Sequence, residues 1–396
     1  MEGRCREDLR QIIWFGLGYV VVLTCGYLLL RQINLMLSVE EMGRFSYLVG
    51  LVGLFASIFY LAASQAYPRF HENHCIAPRL HRNLMPVYLF AAAMVAFILF
   101  WKTSSWLALL YAAIPFFFER VYVFRAQLRA GTVNLLKIAE LAIPLLLLAV
   151  LALWGKAVTA ETVLAGYGLG YLVAFVFPLR LKPCASPSRS VLAKFLVPIG
   201  LTTLVAVLIE HLTVIATKAL LGYEAAAEMG VAARNLIFVR ALFQFFQMFY
   251  PVIYFREMKA SHYRTVAIYR MVIVVGAIGF VMVMTVGAPL LYQITGATRY
   301  VSSSSVFVLL AVAALFDFLF DTFALCFQYE IKTWKTTCVR AGFLLILLVG
   351  FGLLALGSME VSTYAFAEVV FAASLLTSVP GMIWAVCREC QLKRGG

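Results

Sequence analysis

"RQINLMLSVEEMGRFSYLVGL", residues 31–51, and "KALLGYEAAAEMGVAARNLIF", residues 218–238, make the same turn twice. In each, a cation ends one apolar run, and Glu-Met-Gly, ten residues later, opens the next. Arg31, Glu41, Met42 and Gly43 map at a constant offset of 187 onto Lys218, Glu228, Met229 and Gly230. Arg69, which closes the second apolar run of the first copy, maps onto Arg256.

The runs on either side of these turns are continuous and about 20 residues long, the length a helix needs to cross about 30 Å of hydrocarbon. Transmembrane barrel strands instead alternate apolar and polar residues over about ten positions. The whole chain follows the same rule, with 396 residues, 63% of them hydrophobic and 13% charged. Its mean hydropathy is +0.93. Soluble domains carry roughly 25% charged residues. The sequence therefore predicts an all-α polytopic membrane protein.

Twelve spans are expected, near 11–31, 44–66, 85–101, 105–124, 135–154, 160–179, 194–218, 230–254, 267–290, 303–327, 337–356 and 361–386. The net charge of +13 fits this topology rather than a nucleic-acid partner, because cytoplasmic loops collect Lys and Arg. With the N-terminus inside, 24 of the 32 cations fall at cytoplasmic positions, and every loop obeys the alternation. Both termini are then cytoplasmic, and the first helix is retained. None of the eight cysteines falls in an outward loop, where an oxidising compartment could pair it. "LKPCASPSR" at 181–189 is the one Pro/Ser-rich linker. It predicts an N-terminal six-helix lobe over 1–182, a linker over 183–193 and a C-terminal lobe over 194–396.

Six helices is an even number, so the two copies cross the membrane in the same direction. They form a parallel repeat, as in transporters whose halves rock about a central cavity. The segment "LLLRQINLMLSVEEMGRFSYLVGLVGLFASI" (28–58) resembles the first two helices of the polysaccharide and O-antigen flippases. These belong to the multidrug/oligosaccharidyl-lipid/polysaccharide exporter superfamily. In that family an Arg ends helix 1, and a loop closing on Glu-aromatic-Gly leads into helix 2. Arg31, Glu41 and Gly43 fit this pattern, while Met42 stands where the aromatic would be. "YVFRAQLRAGTV" (122–133) is similar to the same family. The resemblance implies two six-helix bundles around a cavity that carries a lipid-linked oligosaccharide.

Several enzymatic signatures are missing. There is no GxxxxGK[ST], HExxH or GxSxG, and the three Asp residues are Asp8, Asp317 and Asp321. The sequence therefore predicts a transporter rather than an enzyme, with no ATP site, cofactor or metal. "HENHC" (71–75) has metal-ligand residue types without an assignable spacing. "CREC" (387–390) is a lone CxxC.

Charges inside spans each cost roughly 2.5–3.5 kcal/mol on insertion scales and so mark candidate sites. Arg240 lies near mid-span, followed on the same face by Gln244 and Gln247. Ser57, Tyr60 and Ser64 continue the matching face in the first copy. Arg240 reads either as a fork for pyrophosphate oxygens or as the partner of Glu210 or Asp317. Arg31, Arg44, Lys218 and Arg234 cluster by depth near the outward helix ends, where they either draw an anionic headgroup or snorkel to the interface. Glu41 and Glu228 read as helix-terminal caps or as a gate. Asp317 and Asp321, at i and i+4, and Glu210 read either as ion-coupling acids or as counter-charges to the cationic helices. Pro115, Pro144, Pro198, Pro251, Pro289 and Pro380 lie within spans and are expected to kink them.

The function expected is translocation of a polyprenyl-pyrophosphate-linked oligosaccharide across the cytoplasmic membrane by alternating access. Its expected partners are that anionic lipid-linked glycan, membrane lipids and the polysaccharide polymerase machinery. The alternatives are a multidrug antiporter of the same superfamily, a membrane-embedded polymerase and a non-transporting scaffold.

Overall fold

The computed structural model describes the backbone of residues 2–64, 66–70, 76–103, 105–127, 129–182, 187–330, 334–357 and 361–395. Side chains over 2–17, over 201–210 and at scattered further positions lie outside that description. The HENHC stretch and most of the Pro/Ser linker also fall outside it.

The first half contains α1 (Glu2–Met36), α2 (Val39–Ser64), the short α3 (Ala66–Phe70), α4 (Pro78–Lys102), α5 (Ile114–Ala126), α6 (Ala130–Leu153) and α7 (Ala160–Leu172). The second contains α8 (Arg189–Leu221), α9 (Tyr223–Lys259), α10 (Tyr263–Val286), the short α11 (Ala288–Ile294), α12 (Ser304–Tyr329), α13 (Trp334–Ala355) and α14 (Thr363–Gly395). A 3-10 segment, Trp106–Ala113, leads into α5, and another, Thr298–Ser303, leads into α12. A third, Val173–Val176, prolongs α7. With α3 and α11 set aside, the described residues form the twelve helical segments expected of the all-α membrane fold. Among the described residues, seven helices are long and apolar enough to cross a membrane by length and composition.

Several helices run past the apolar windows that announce them. Backbone hydrogen bonding does not stop where hydropathy falls. At 37 residues, α9 is about 56 Å long, well beyond the roughly 30 Å hydrocarbon core. Pro144 and Pro380 lie inside helices as expected. Pro115 and Pro289 instead occupy the first turns of α5 and α11, where the missing N–H is no loss. Trp101, Trp106 and Trp154 are exposed at helix ends, the position of an interfacial aromatic belt.

The chain divides into two compact units, Met1–Val207 and Leu208–Gly396. The same helix pairs pack in both. In the N-terminal unit the second helix lies on the third (α2 on α4), the fifth on the sixth (α6 on α7), and the sixth on the fourth segment (α7 on Trp106–Ala113). In the C-terminal unit the equivalent contacts join α9 to α10, α13 to α14 and α14 to α12. The Arg…Glu-Met-Gly repeat of the sequence thus has a counterpart in packing.

Small residues set these contacts. In "GYGLG" (166–170), Gly166 and Gly170 face α6, and a Cβ on either would come within 2.9 Å of Pro144 or of the Ala139 carbonyl. Gly168 faces the opposite way, onto backbone atoms of Leu110 and Tyr111 at 2.4 and 2.6 Å from such a Cβ. Close backbone approach of this kind is how helices associate where lipid removes the hydrophobic drive. Gly168→Ala is expected to cost about 1–3 kcal/mol through overpacking, read as a lowered melting temperature in detergent. Gly352→Ala is the control, because no atom lies within 4 Å of its added Cβ. It is expected to be neutral or slightly stabilising.

Candidate functional site

The polar group deepest in the C-terminal unit is built on α12. This helix packs against α14, α9 and α10. One face of α14 carries Ser374, Ser378, Gly381 and Ala385, all buried. Ser374 Oγ donates to the Ala313 carbonyl at 2.9 Å, and Cys326 Sγ donates to the Ala385 carbonyl at 3.4 Å. Gly381 admits the Phe320 ring. On the other side, Phe243 of α9 stacks on Phe318 with centroids 4.3 Å apart and planes 8° apart. That stack fixes the register of α9 on α12 and brings Arg240 and Asp317 to one level.

Asp317 and Asp321 follow one another along α12, as the i, i+4 spacing predicts. Nη2 of Arg340, from α13, donates to both Asp321 carboxylate oxygens, at 2.7 and 2.8 Å. Ser378 Oγ donates to Asp317 Oδ1 at 3.2 Å. Arg240 and Arg340 both lie close enough for their charges to act on the Asp317 carboxyl. Of the two sequence readings of Arg240, the pairing with Asp317 thus has a geometric basis. Arg240 is seventeen residues into α9, or about 26 Å along it, close to the helix midpoint. Glu210, Gln244 and Gln247 have side chains outside the described residues.

Arg340 and Arg270 were counted by sequence with the cytoplasmic loop cations, yet both side chains fold inward. Arg270 is 8% exposed and Glu389 3%. Nη2 of Arg270 donates to Glu389 at 2.5 Å, and its Nε donates to the Tyr250 hydroxyl at 3.0 Å. Its guanidinium lies 4.8 Å from the Phe323 ring centroid. Nearby, Arg388 holds Glu330 through two bonds of 2.7 and 2.5 Å.

In the N-terminal unit, the turn that opened the sequence reading is occupied structurally. Ser38 Oγ accepts from the Glu41 N–H at 3.2 Å and so caps α2. Glu41 is a cap as well, but for another helix. Its Oε2 accepts from the Ala160 N–H at 2.6 Å, at the first residue of α7, beside the Thr159 capping box. Arg44 pairs with Glu161 at 2.6 Å. Three charged side chains thus fasten α2 to the start of α7. Tyr60, 3% exposed, shares a hydrogen bond with Ser57 at 3.1 Å and stacks on Phe118, while Ser64 bonds Tyr88. The polar stripe of α2 is therefore buried among its own neighbours. Arg31 is exposed near the end of α1. Lys218 lies 5.0 Å over the Tyr223 ring. Arg234 is half-buried near Tyr300. The second turn is made differently, through Gly222 at φ +90°, a conformation that favours glycine.

Sequence reasoning missed one buried group. Glu119, 1% exposed, is met by His81 Nδ1 at 2.8 Å and by the Tyr67 hydroxyl at 3.3 Å. The available signal was an acid within an apolar run of a chain that has only 19 acids.

No protein-family profile and no curated protein matches the chain. Solved structures do. An inward-facing multidrug resistance MATE family transporter of the MOP superfamily aligns with a TM-score of 0.69 and 14% identity, over 95% of this chain and 99% of that one. An outward-facing one aligns at 0.53 and 13%, over 98% and 92%. A MOP superfamily transporter from Pyrococcus furiosus with a binding pocket of reverse polarity aligns at 0.56 and 13%, over 97% and 96%. Twelve helices in two like-built units, aligned over nearly the full length of these chains, give this protein the fold of the MOP superfamily transporters.

Proposed function

We propose that the protein is an alternating-access flippase for a polyprenyl-pyrophosphate-linked oligosaccharide, acting in the cytoplasmic membrane beside the polysaccharide polymerase machinery. The observation that carries this reading is the charge balance around α12. Asp321 is answered by Arg340, and Asp317 lies within the field of Arg240 and Arg340. The described polar group therefore offers no net negative charge to a cationic drug. A guanidinium at mid-helix suits phosphate oxygens, which its planar donor fork matches. The fold shared with transporters found in inward- and outward-facing forms supports the alternating-access part.

The same geometry suggests how cargo and ion are coupled. Asp317 and an arriving pyrophosphate compete for Arg240. A proton or Na⁺ taken up at Asp317 removes that competitor, and its release restores it. Arg31 and Lys218 would meet the headgroup first, with Arg234 deeper, while Arg44 acts through its hold on Glu161. Moving a charged headgroup also couples to the membrane potential, at about 2.3 kcal/mol per charge per 100 mV.

The test is transfer of a fluorescent polyprenyl-pyrophosphate sugar in proteoliposomes, read with an impermeant quencher. Transfer above protein-free vesicles supports the proposal. Absence of transfer from folded protein across several glycans, with efflux of a cationic dye in the same vesicles, would hand the site to drug antiport.

A further inference from the structure

We infer that a cleft between the first turns of α4 and α8, inside the N-terminal unit, is a binding site for the phosphate of an anionic phospholipid. A cavity of about 440 Å³ there is lined by Arg82, Asn83, Pro86, Arg189, Leu192, Ala193 and Leu196. Both arginines are exposed, and the Nδ2 of Asn83 has no hydrogen-bond partner. Two guanidinium groups and a leftover amide donor at one wall are the chemistry that holds a phosphate diester.

The rest of the lining is apolar, which free phosphate has no use for. Pro86, Leu192 and Leu196 continue into the exposed Leu89 and Phe90 of α4 and Val197 of α8. An acyl chain would follow that surface away from the cleft. The depth is right for a headgroup. Arg82 and Pro86 are four and eight residues into α4, about 6 and 12 Å along a helix that spans. The field is uncompensated as well, since neither residues 78–102 nor residues 189–209 contain an acid. This end of α4 is also where the cation bias places the cytoplasm, whose leaflet carries the anionic lipids.

The site is independent of the polar group on α12 and of the identity of the cargo. It would brace α8, the helix that runs uninterrupted from one compact unit into the other.

The experiment is native mass spectrometry of the full chain released from detergent, after equilibration with phosphatidylglycerol, with phosphatidylcholine or with inorganic phosphate. One retained phosphatidylglycerol per chain is expected, with little phosphatidylcholine. R82Q/R189Q should lower that retention about tenfold, the effect of losing one charge-assisted phosphate contact. Ala193→Trp, which fills the cleft without removing charge, should lower it as well. R79Q/K194Q, removing two exposed cations outside the lining, should leave it within about twofold. Equal loss in R79Q/K194Q and R82Q/R189Q would reduce the effect to diffuse attraction and overturn the site. Retention unaffected by R82Q/R189Q or by Ala193→Trp would overturn it too. Binding of inorganic phosphate at the same arginines, without a preference for phosphatidylglycerol, would overturn the lipid as its occupant.

Discussion

Arg240→Ala is expected to lower headgroup transfer in proteoliposomes by about 100-fold, the scale of a lost charge-assisted contact to phosphate. The argument rests on position. Arg240 lies at mid-helix in α9, where the Phe243–Phe318 stack holds it level with Asp317. Lysine at this position keeps the charge and loses the planar fork, so Arg240→Lys should fall between wild type and alanine. Asp317→Asn separates the two parts of the proposal. With no carboxylate to compete for Arg240, headgroup binding should persist while dependence on the driving ion disappears. Full transfer by Arg240→Ala would remove phosphate recognition from α9. Unchanged ion dependence in Asp317→Asn would remove coupling from α12.

The second large effect concerns stability. Glu389→Ala is expected to destabilise the C-terminal unit by about 3–5 kcal/mol, because it strands a buried guanidinium. The side chains of Arg270 and Glu389 are 10% and 4% exposed. Once Glu389 is gone, Arg270 keeps only the Tyr250 hydroxyl and the aromatic faces of Tyr254 and Phe323. Those contacts do not replace a counter-charge. The paired replacement R270M/E389L should recover most of the loss, since apolar residues of similar volume need no desolvation of charge. The check is the apparent melting temperature and the unfolding rate in detergent, the latter because large chains often unfold irreversibly. A double variant as unstable as Glu389→Ala would mean that packing, not charge, holds this corner.

The twelve-helix architecture was legible because a span leaves a coarse trace, about twenty apolar residues between polar ends. The repeat was legible from its turns. Side-chain partners were not, because they join residues far apart along the chain. Glu41 looks from sequence like the cap of its own helix, and only folding brings Ala160, 119 residues away, to its carboxylate. Arg270 and Arg340 sit near helix ends, where a positive-inside count enrols them as loop charges. Their acids lie on other helices, so the inward turn of both side chains is invisible to a one-dimensional window. Glu119, Glu161 and Glu389 share a different reason. Each stands beside polar or helix-end residues that make it look solvated, although all three are buried. Ser57, Tyr60 and Ser64 were correctly grouped on one face, yet spacing alone does not say whether a polar face meets water or other hydroxyls.

The stripe of Ser374, Ser378, Gly381 and Ala385 has a mechanical consequence. These residues meet Ala313, Asp317, Phe320 and Cys326 in ascending order, so α12 and α14 run alongside each other like a zipped pair. Sliding one along the other would break all four attachments at once, whereas tilting both together breaks none. A charge change at Asp317 therefore acts on a two-stranded beam rather than on a single rod. The beam's stiffness sets how far a local event on one carboxyl is felt along its length.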